Sequence, residues 1–146
     1  MGFLALVVDK NEEGKTSGSV RELNIEDLPE GDVTVKVDYS TVNYKDGLCL
    51  GSGGGLVRNY PHVPGIDFSG TVMESQSDGF SQGDKVVLTG WRVGEVWWGG
   101  YSQIARVKSE WLVKLPEDMS TKTAMVVGTA GLTAMLAIDA LEKQGM

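Results

Sequence analysis

The chain has 146 residues and a formal net charge of −7, long enough for one domain with its own core and too acidic for a broad nucleic-acid-binding face. No apolar run approaches the ~20 residues of a membrane span, which argues against a membrane partner. The opening MGFLALVVDK lacks the basic segment and cleavage site of a signal peptide and reads as a first strand. Cys49 is the single cysteine, which excludes an internal disulfide and a multi-cysteine metal site and makes a reducing cytoplasm the simplest compartment. In chain order, strands are predicted at Phe3–Val8, Ser17–Leu23 and Val33–Val42, separated by the turn-rich NEEGK and LPEGD. Residues 43–50 fit a short helix capped by Asn43, and GSGGG at 51–55 is loop. Pro61 and Pro64 exclude regular structure before a strand at Ile66–Glu74, and further strands follow at Val86–Thr89, Tyr101–Val107 and Trp111–Leu115. After Pro116 a capped helix starts at Ser120, and a second helix covers Thr129–Lys143. Many short strands followed by two helices predict a mainly β fold, a small barrel or sandwich.

Candidate chemistry is sparse. GSGGG follows a helix and does not open one, so it fails the test for a dinucleotide fingerprint. GTAGLTA, Gly128–Ala134, does open a helix. Its N–H groups can face an anion or carboxamide, or form a plain helix junction. His62, set between prolines, reads as a loop residue, and His62 with Cys49 does not make a zinc site. Trp97 and Trp98 read as core filling and loop anchors, with a cleft wall as the alternative. Arg58 and Arg92 are the arginines nearest the expected cleft loops. The cluster Asn43-Tyr44-Lys45-Asp46 ends the third strand abruptly. It reads either as a cap with a solvated turn or as ligand-binding groups at the mouth of a barrel.

VKVDYSTVNYKDG, PHVPGIDFSGTV, GDKVVLTG, WGGYSQIARV and GTAGLTAM occur in this order and span most of the chain. Together they resemble the N-terminal, GroES-like catalytic domain of the medium-chain dehydrogenase/reductases. Their wording is similar to the NADPH-dependent acrylyl-CoA reductase group and related quinone oxidoreductases. The resemblance implies a GroES-like barrel over residues 1–120 and helices over 121–146 that lead to a Rossmann domain absent from this chain. Zinc-dependent relatives carry a cysteine and a histidine ligand where this chain has Asn43 and Ile66, so the resemblance is to the zinc-free branch, with no metal.

The implied activity of the intact enzyme is hydride transfer from NADPH to the C=C bond of an enoyl-CoA thioester such as acrylyl-CoA. Reduction of a quinone or enone is the alternative, and a stand-alone binding module that catalyses nothing is a third. The resemblance assigns Tyr44 to the nicotinamide end of NADPH and Asn43 to ordering the same pocket. It makes Lys45 and Asp46 supporting groups and gives Thr129 and Thr133 contacts with the cofactor. A homodimer is also implied.

Overall fold

The computed structural model describes residues 1–51 and 55–146, so the loop expected at 51–55 lies partly outside the described residues. Strands β1 (Gly2–Lys10) and β2 (Thr16–Asn24) form an antiparallel hairpin. The main sheet has five antiparallel strands in the order β6-β3-β4-β5-β7: β3 is Val33–Ser40, β4 Asp67–Ser75, β5 Lys85–Thr89, β6 Ile104–Val107 and β7 Val113–Lys114. Bridges from Ala5 to Ser102 and from Val8 to His62 fold the hairpin onto this sheet, giving a mainly β architecture that curls on itself. Helix α1 (Tyr44–Leu50) follows β3, and α2 (Thr121–Glu142) closes the described chain.

The alternation read in the sequence places the core. Val33 and Val35 of β3, Phe68 and Val72 of β4, and Val86 and Leu88 of β5 pack in one buried cluster with Val93, Ala105, Val107, Trp111 and Leu112. A second cluster under the hairpin contains Phe3, Ala5, Val7, Leu28, Val63 and Ile104. Removing such side chains from water drives the collapse, at roughly 25 cal/mol per Å² of apolar surface. Trp97 packs on Trp111 with ring centroids 5.3 Å apart. Trp98 packs on the second cluster and donates from Nε1 to the Pro61 carbonyl at 3.3 Å. Both therefore serve as core filling and loop anchors.

Three expectations are corrected. The strand expected from Tyr101 begins only at Ile104, because residues 99–101 bond to Val63, Pro64 and Gly65 and not to β3. The strand expected from Trp111 is a 3₁₀ turn, Ser109–Trp111, followed by the two-residue β7. The third concerns apolar length. By length and composition α2 qualifies as a membrane span, contrary to the expectation that no apolar run approaches that length. Its backbone is broken, however: Gly128 adopts φ 53°, ψ −165°. The part before the break packs Thr121, Ala124 and Met125 against the barrel. At about 1.5 Å per residue the stretch 129–142 reaches roughly 21 Å, short of a ~30 Å hydrocarbon core.

Candidate active site

The β3 strand ends at Ser40, and the next three residues hold the mouth of the barrel. Asn43 and Asp46 form the capping box that starts α1, with the Asn43 N–H donating to Asp46 Oδ2 at 2.8 Å. Asp46 is buried, and its other oxygen accepts the Ile66 N–H at 3.0 Å. One carboxylate thus starts the helix and pins it to the residue that precedes β4. Lys45 of α1 pairs with the buried Glu95 at 2.8 Å, and Arg92 approaches the same carboxylate at 3.8 Å. Arg58 is exposed and makes no ion pair among the described residues.

Beneath α1, two buried donors converge on one carbonyl. Cys49 Sγ donates to the Gly94 oxygen at 3.2 Å, and His62 Nε2 donates to the same oxygen at 2.9 Å, which fixes the His62 tautomer. Burial pushes the Cys49 thiol up to about 11, with the negative charges of Asp46 and Glu95 adding to the effect, so Cys49 is no nucleophile. Burial also holds His62 below the ordinary histidine range. Gly94 itself is required: it sits at φ 78°, and a Cβ there would meet the Gly65 backbone at 2.6 Å.

Asp67, the first residue of β4, was not singled out from the sequence, yet it organises the mouth. It is 0% exposed. Oδ1 accepts from the Thr41 N–H at 3.2 Å and the Thr41 hydroxyl at 2.7 Å. Oδ2 accepts from Asn43 Nδ2 at 3.4 Å and from the Thr129 N–H at 2.9 Å. Asn43 Nδ2 also donates to Thr41 Oγ1 at 2.8 Å. Tyr101, likewise missed, donates its hydroxyl to the Thr41 carbonyl at 3.0 Å. Burial, then the charge of Asp46, raises the Tyr101 phenol well above its usual range, so it remains a donor. The readable signal for Asp67 was a carboxylate opening an otherwise buried strand.

The structure thus brings Asn43 and Thr129 to one carboxylate. Of the readings open for the start of the GTAGLTA helix, the Thr129 N–H faces an internal carboxylate, the chain's own Asp67. Thr133 lies one turn further along α2 and donates to the Thr129 carbonyl at 2.8 Å. Tyr44 stands apart from this network: it is 83% exposed and makes no hydrogen bond among the described residues. The Thr129 hydroxyl oxygen is buried and has no partner, a costly state for a polar atom unless something else meets it.

The chain belongs to the family described as the alcohol dehydrogenase GroES-like domain, which it matches over residues 29–117. Over 145 residues it is 67% identical to the acrylyl-CoA reductase AcuI of Ruegeria pomeroyi, covering 99% of this chain and 44% of that protein. Among solved structures, the yhdH oxidoreductase of Salmonella enterica in complex with NADP is 50% identical with a TM-score of 0.93, covering 99% of this chain and 44% of that one. The yhfP protein of Bacillus subtilis with NAD bound is 45% identical with a TM-score of 0.95, covering 100% and 44%. The chain therefore spans less than half the length of these relatives.

Proposed function

We propose that the whole protein is an NADPH-dependent reductase of the C=C bond of a short 2-enoyl-CoA thioester, acrylyl-CoA in the first instance, and that residues 1–120 form its catalytic domain. In this reading residues 121–146 lead into a nucleotide-binding domain that supplies most of the cofactor contacts. The carrying observation is the 67% identity to an acrylyl-CoA reductase along nearly this whole chain, joined to a barrel mouth whose polar groups fit that chemistry. The exposed apolar side chains Leu132, Met135, Leu136, Ile138 and Leu141 on α2 suit a helix that another domain covers.

The residues present fit the cofactor. The exposed Tyr44 phenol, on the residue after Asn43, offers a hydrogen bond to a carboxamide or a substrate carbonyl, and the orphaned Thr129 hydroxyl is a buried polar atom still lacking a partner. NADPH, when bound, supplies the hydride that reduces the β-carbon of the alkene. A proton from solvent or a donor group completes the α-carbon, and negative charge builds meanwhile on the thioester oxygen. The chain's part is to hold donors near that oxygen and to fix the reactants against each other. Tyr44 binds or orients at the reacting end, Asn43 orders the loop that presents it, and Thr129 and Thr133 line the side formed by α2.

The residues do not fit a catalytic zinc. The Asn43 amide is already committed to Thr41 and Asp67, Ile66 offers no ligand atom, and among the described residues no group of three His, Cys, Asp or Glu side chains gathers. The chemistry assigned here needs no Lewis acid on the substrate.

The test is NADPH oxidation by the full-length protein with acryloyl-CoA, crotonyl-CoA and a benzoquinone side by side, for wild type and Tyr44→Phe. The reading expects preference for a CoA thioester and a kcat/KM about a hundred- to a thousandfold lower in Tyr44→Phe, the usual scale for one transition-state donor. Preference for the quinone would replace the thioester assignment, and unchanged kinetics in Tyr44→Phe would remove that tyrosine from the mechanism.

A further inference from the structure

The four groups that donate to Asp67 have a common feature. Each belongs either to the Thr41–Asn43 loop, which carries Tyr44, or to the first residue after the α2 break. None belongs to the barrel wall. The main chain of Asp67 is separately anchored, because Ser40 Oγ donates to its carbonyl at 2.6 Å. No lysine or arginine pairs with the carboxylate among the described residues. A buried anion without a cation is tolerable only where hydrogen bonds and a helix N-terminus compensate it. The contact also favours glycine at the break: a Cβ on Gly128 would lie 3.0 Å from Thr41 Cγ2 and 3.4 Å from Asp67 Oδ2.

We infer that Asp67 is a positioning residue for the proposed reductase: its carboxylate locks the Tyr44-bearing loop to the N-terminus of the 129–142 helix, and so fixes how the two are set against each other. The inference rests on the proposed function for its catalytic consequence, whereas the tie itself is a property of the fold. One partner in the tie, the Thr41–Asn43 loop, follows β3 of the barrel. The other, Thr129, opens the helix that in the proposed reading leads to the cofactor-binding part of the protein. Hydride transfer falls steeply when donor and acceptor are misplaced by even an ångström, so a single carboxylate joining both sides controls the chemical step more than cofactor affinity.

The experiment uses the full-length protein with Asp67→Asn, Asp67→Glu, Thr129→Ala and Thr129→Pro. Asp67→Asn keeps the shape but replaces one acceptor with a donor facing donors. Thr129→Pro removes the N–H that Asp67 accepts, at a first helical position where proline is tolerated, and Thr129→Ala controls for the lost hydroxyl. The first readout needs no cofactor or substrate: residue-resolved amide hydrogen exchange. In Asp67→Asn the Thr41 and Thr129 amides exchange about ten- to a hundredfold faster, the scale of losing a hydrogen bond to a charged acceptor, while β3 and β5 amides are unchanged.

The second readout is kinetic. In Asp67→Asn, kcat with NADPH falls about ten- to a hundredfold and the primary deuterium isotope effect on kcat rises, while the NADPH Kd from cofactor fluorescence stays within about threefold, an effect too small to count as a lost contact. Asp67→Glu recovers part of kcat. If Asp67→Asn does not fold, the comparison of Thr129→Pro with Thr129→Ala decides the same two questions.

Unchanged exchange at Thr129 refutes the tie. Accelerated exchange with kcat and isotope effect unchanged refutes the positioning role, as does a kcat loss matched by a proportional loss of NADPH affinity with no recovery in Asp67→Glu. A wild-type protein that oxidises NADPH with none of the three acceptors refutes the proposed function and the positioning role with it. The exchange result still decides whether the tie exists.

Discussion

Asp46, His62 and Asp67 show how single buried polar side chains shape the barrel mouth. Each is buried, and each bonds to backbone of a neighbouring segment: Asp46 to Asn43 and Ile66, His62 to Gly94, Asp67 to Thr41 and Thr129, with the Thr41 hydroxyl and the Asn43 amide added at Asp67. Asn43 and Tyr44 were legible in the sequence because a polar cluster breaks a strand pattern abruptly. Asp67 and Tyr101 were not, because a lone carboxylate at a strand start and a tyrosine near a glycine pair look ordinary until the fold brings Thr41 beside both. His62 yields a pH prediction. Its folded value is held below the ordinary 6.5 by burial, so the unfolded chain binds the proton more readily. Stability is then full above about pH 6.5 and declines as pH falls below it, by up to about 1.4 kcal/mol per pH unit. Urea denaturation at several pH values between 7 and 5, as round working limits about that titration, should show this slope. His62→Gln, which keeps a donor near Gly94 but does not titrate, should flatten it. An equal slope in the variant would assign the effect to other groups.

Among the elements, the strands followed closely from the sequence because alternation of apolar and polar residues marks one buried face. β1, β2, β3, β4 and β5 fall within a few residues of their expected spans. The segments that misled are those where local pattern competes with long-range backbone pairing. Residues 99–101 look like the start of a strand but are drawn to Val63, Pro64 and Gly65, and Trp111 is buried from a 3₁₀ turn. The break in α2 was expected as two helices, and Gly128 supplies it. Its φ of 53° with ψ of −165° lies in a region open essentially to glycine alone. Gly128→Ala should therefore cost roughly 1–3 kcal/mol in unfolding free energy, since it adds backbone strain and presses on Thr41. The same substitution at Gly131, inside the helix proper, gains helix propensity but meets Val127 Cγ1 at 2.8 Å, so the stiff β-branched Val127 side chain has to shift. A Gly128→Ala protein as stable as wild type would show that the break is not imposed by this residue.

At the scale of the molecule, two surfaces of different character meet at the mouth. The barrel side is closed by bonded polar groups, whereas the stretch 129–142 leaves a row of apolar side chains uncovered and Tyr44 unbonded. This asymmetry is what the proposed arrangement explains, with the cofactor and its domain on the helix side and the substrate between. Neither composition nor periodicity could reveal it, because the acidic charge and the strand-rich grammar describe the barrel alone. The order of five separated motifs carried the functional reading. The central claim is that Tyr44, on the loop held by Asp46 and Asp67, faces the reacting end of NADPH. The most direct measurement is a crystal structure of the full-length protein with NADP⁺ bound. The account predicts the nicotinamide ring within van der Waals contact of the Tyr44 side chain, about 3.5–4 Å, with Thr129 lining the same pocket. A nicotinamide seated beyond reach of Tyr44, with that phenol still open to solvent, would contradict it.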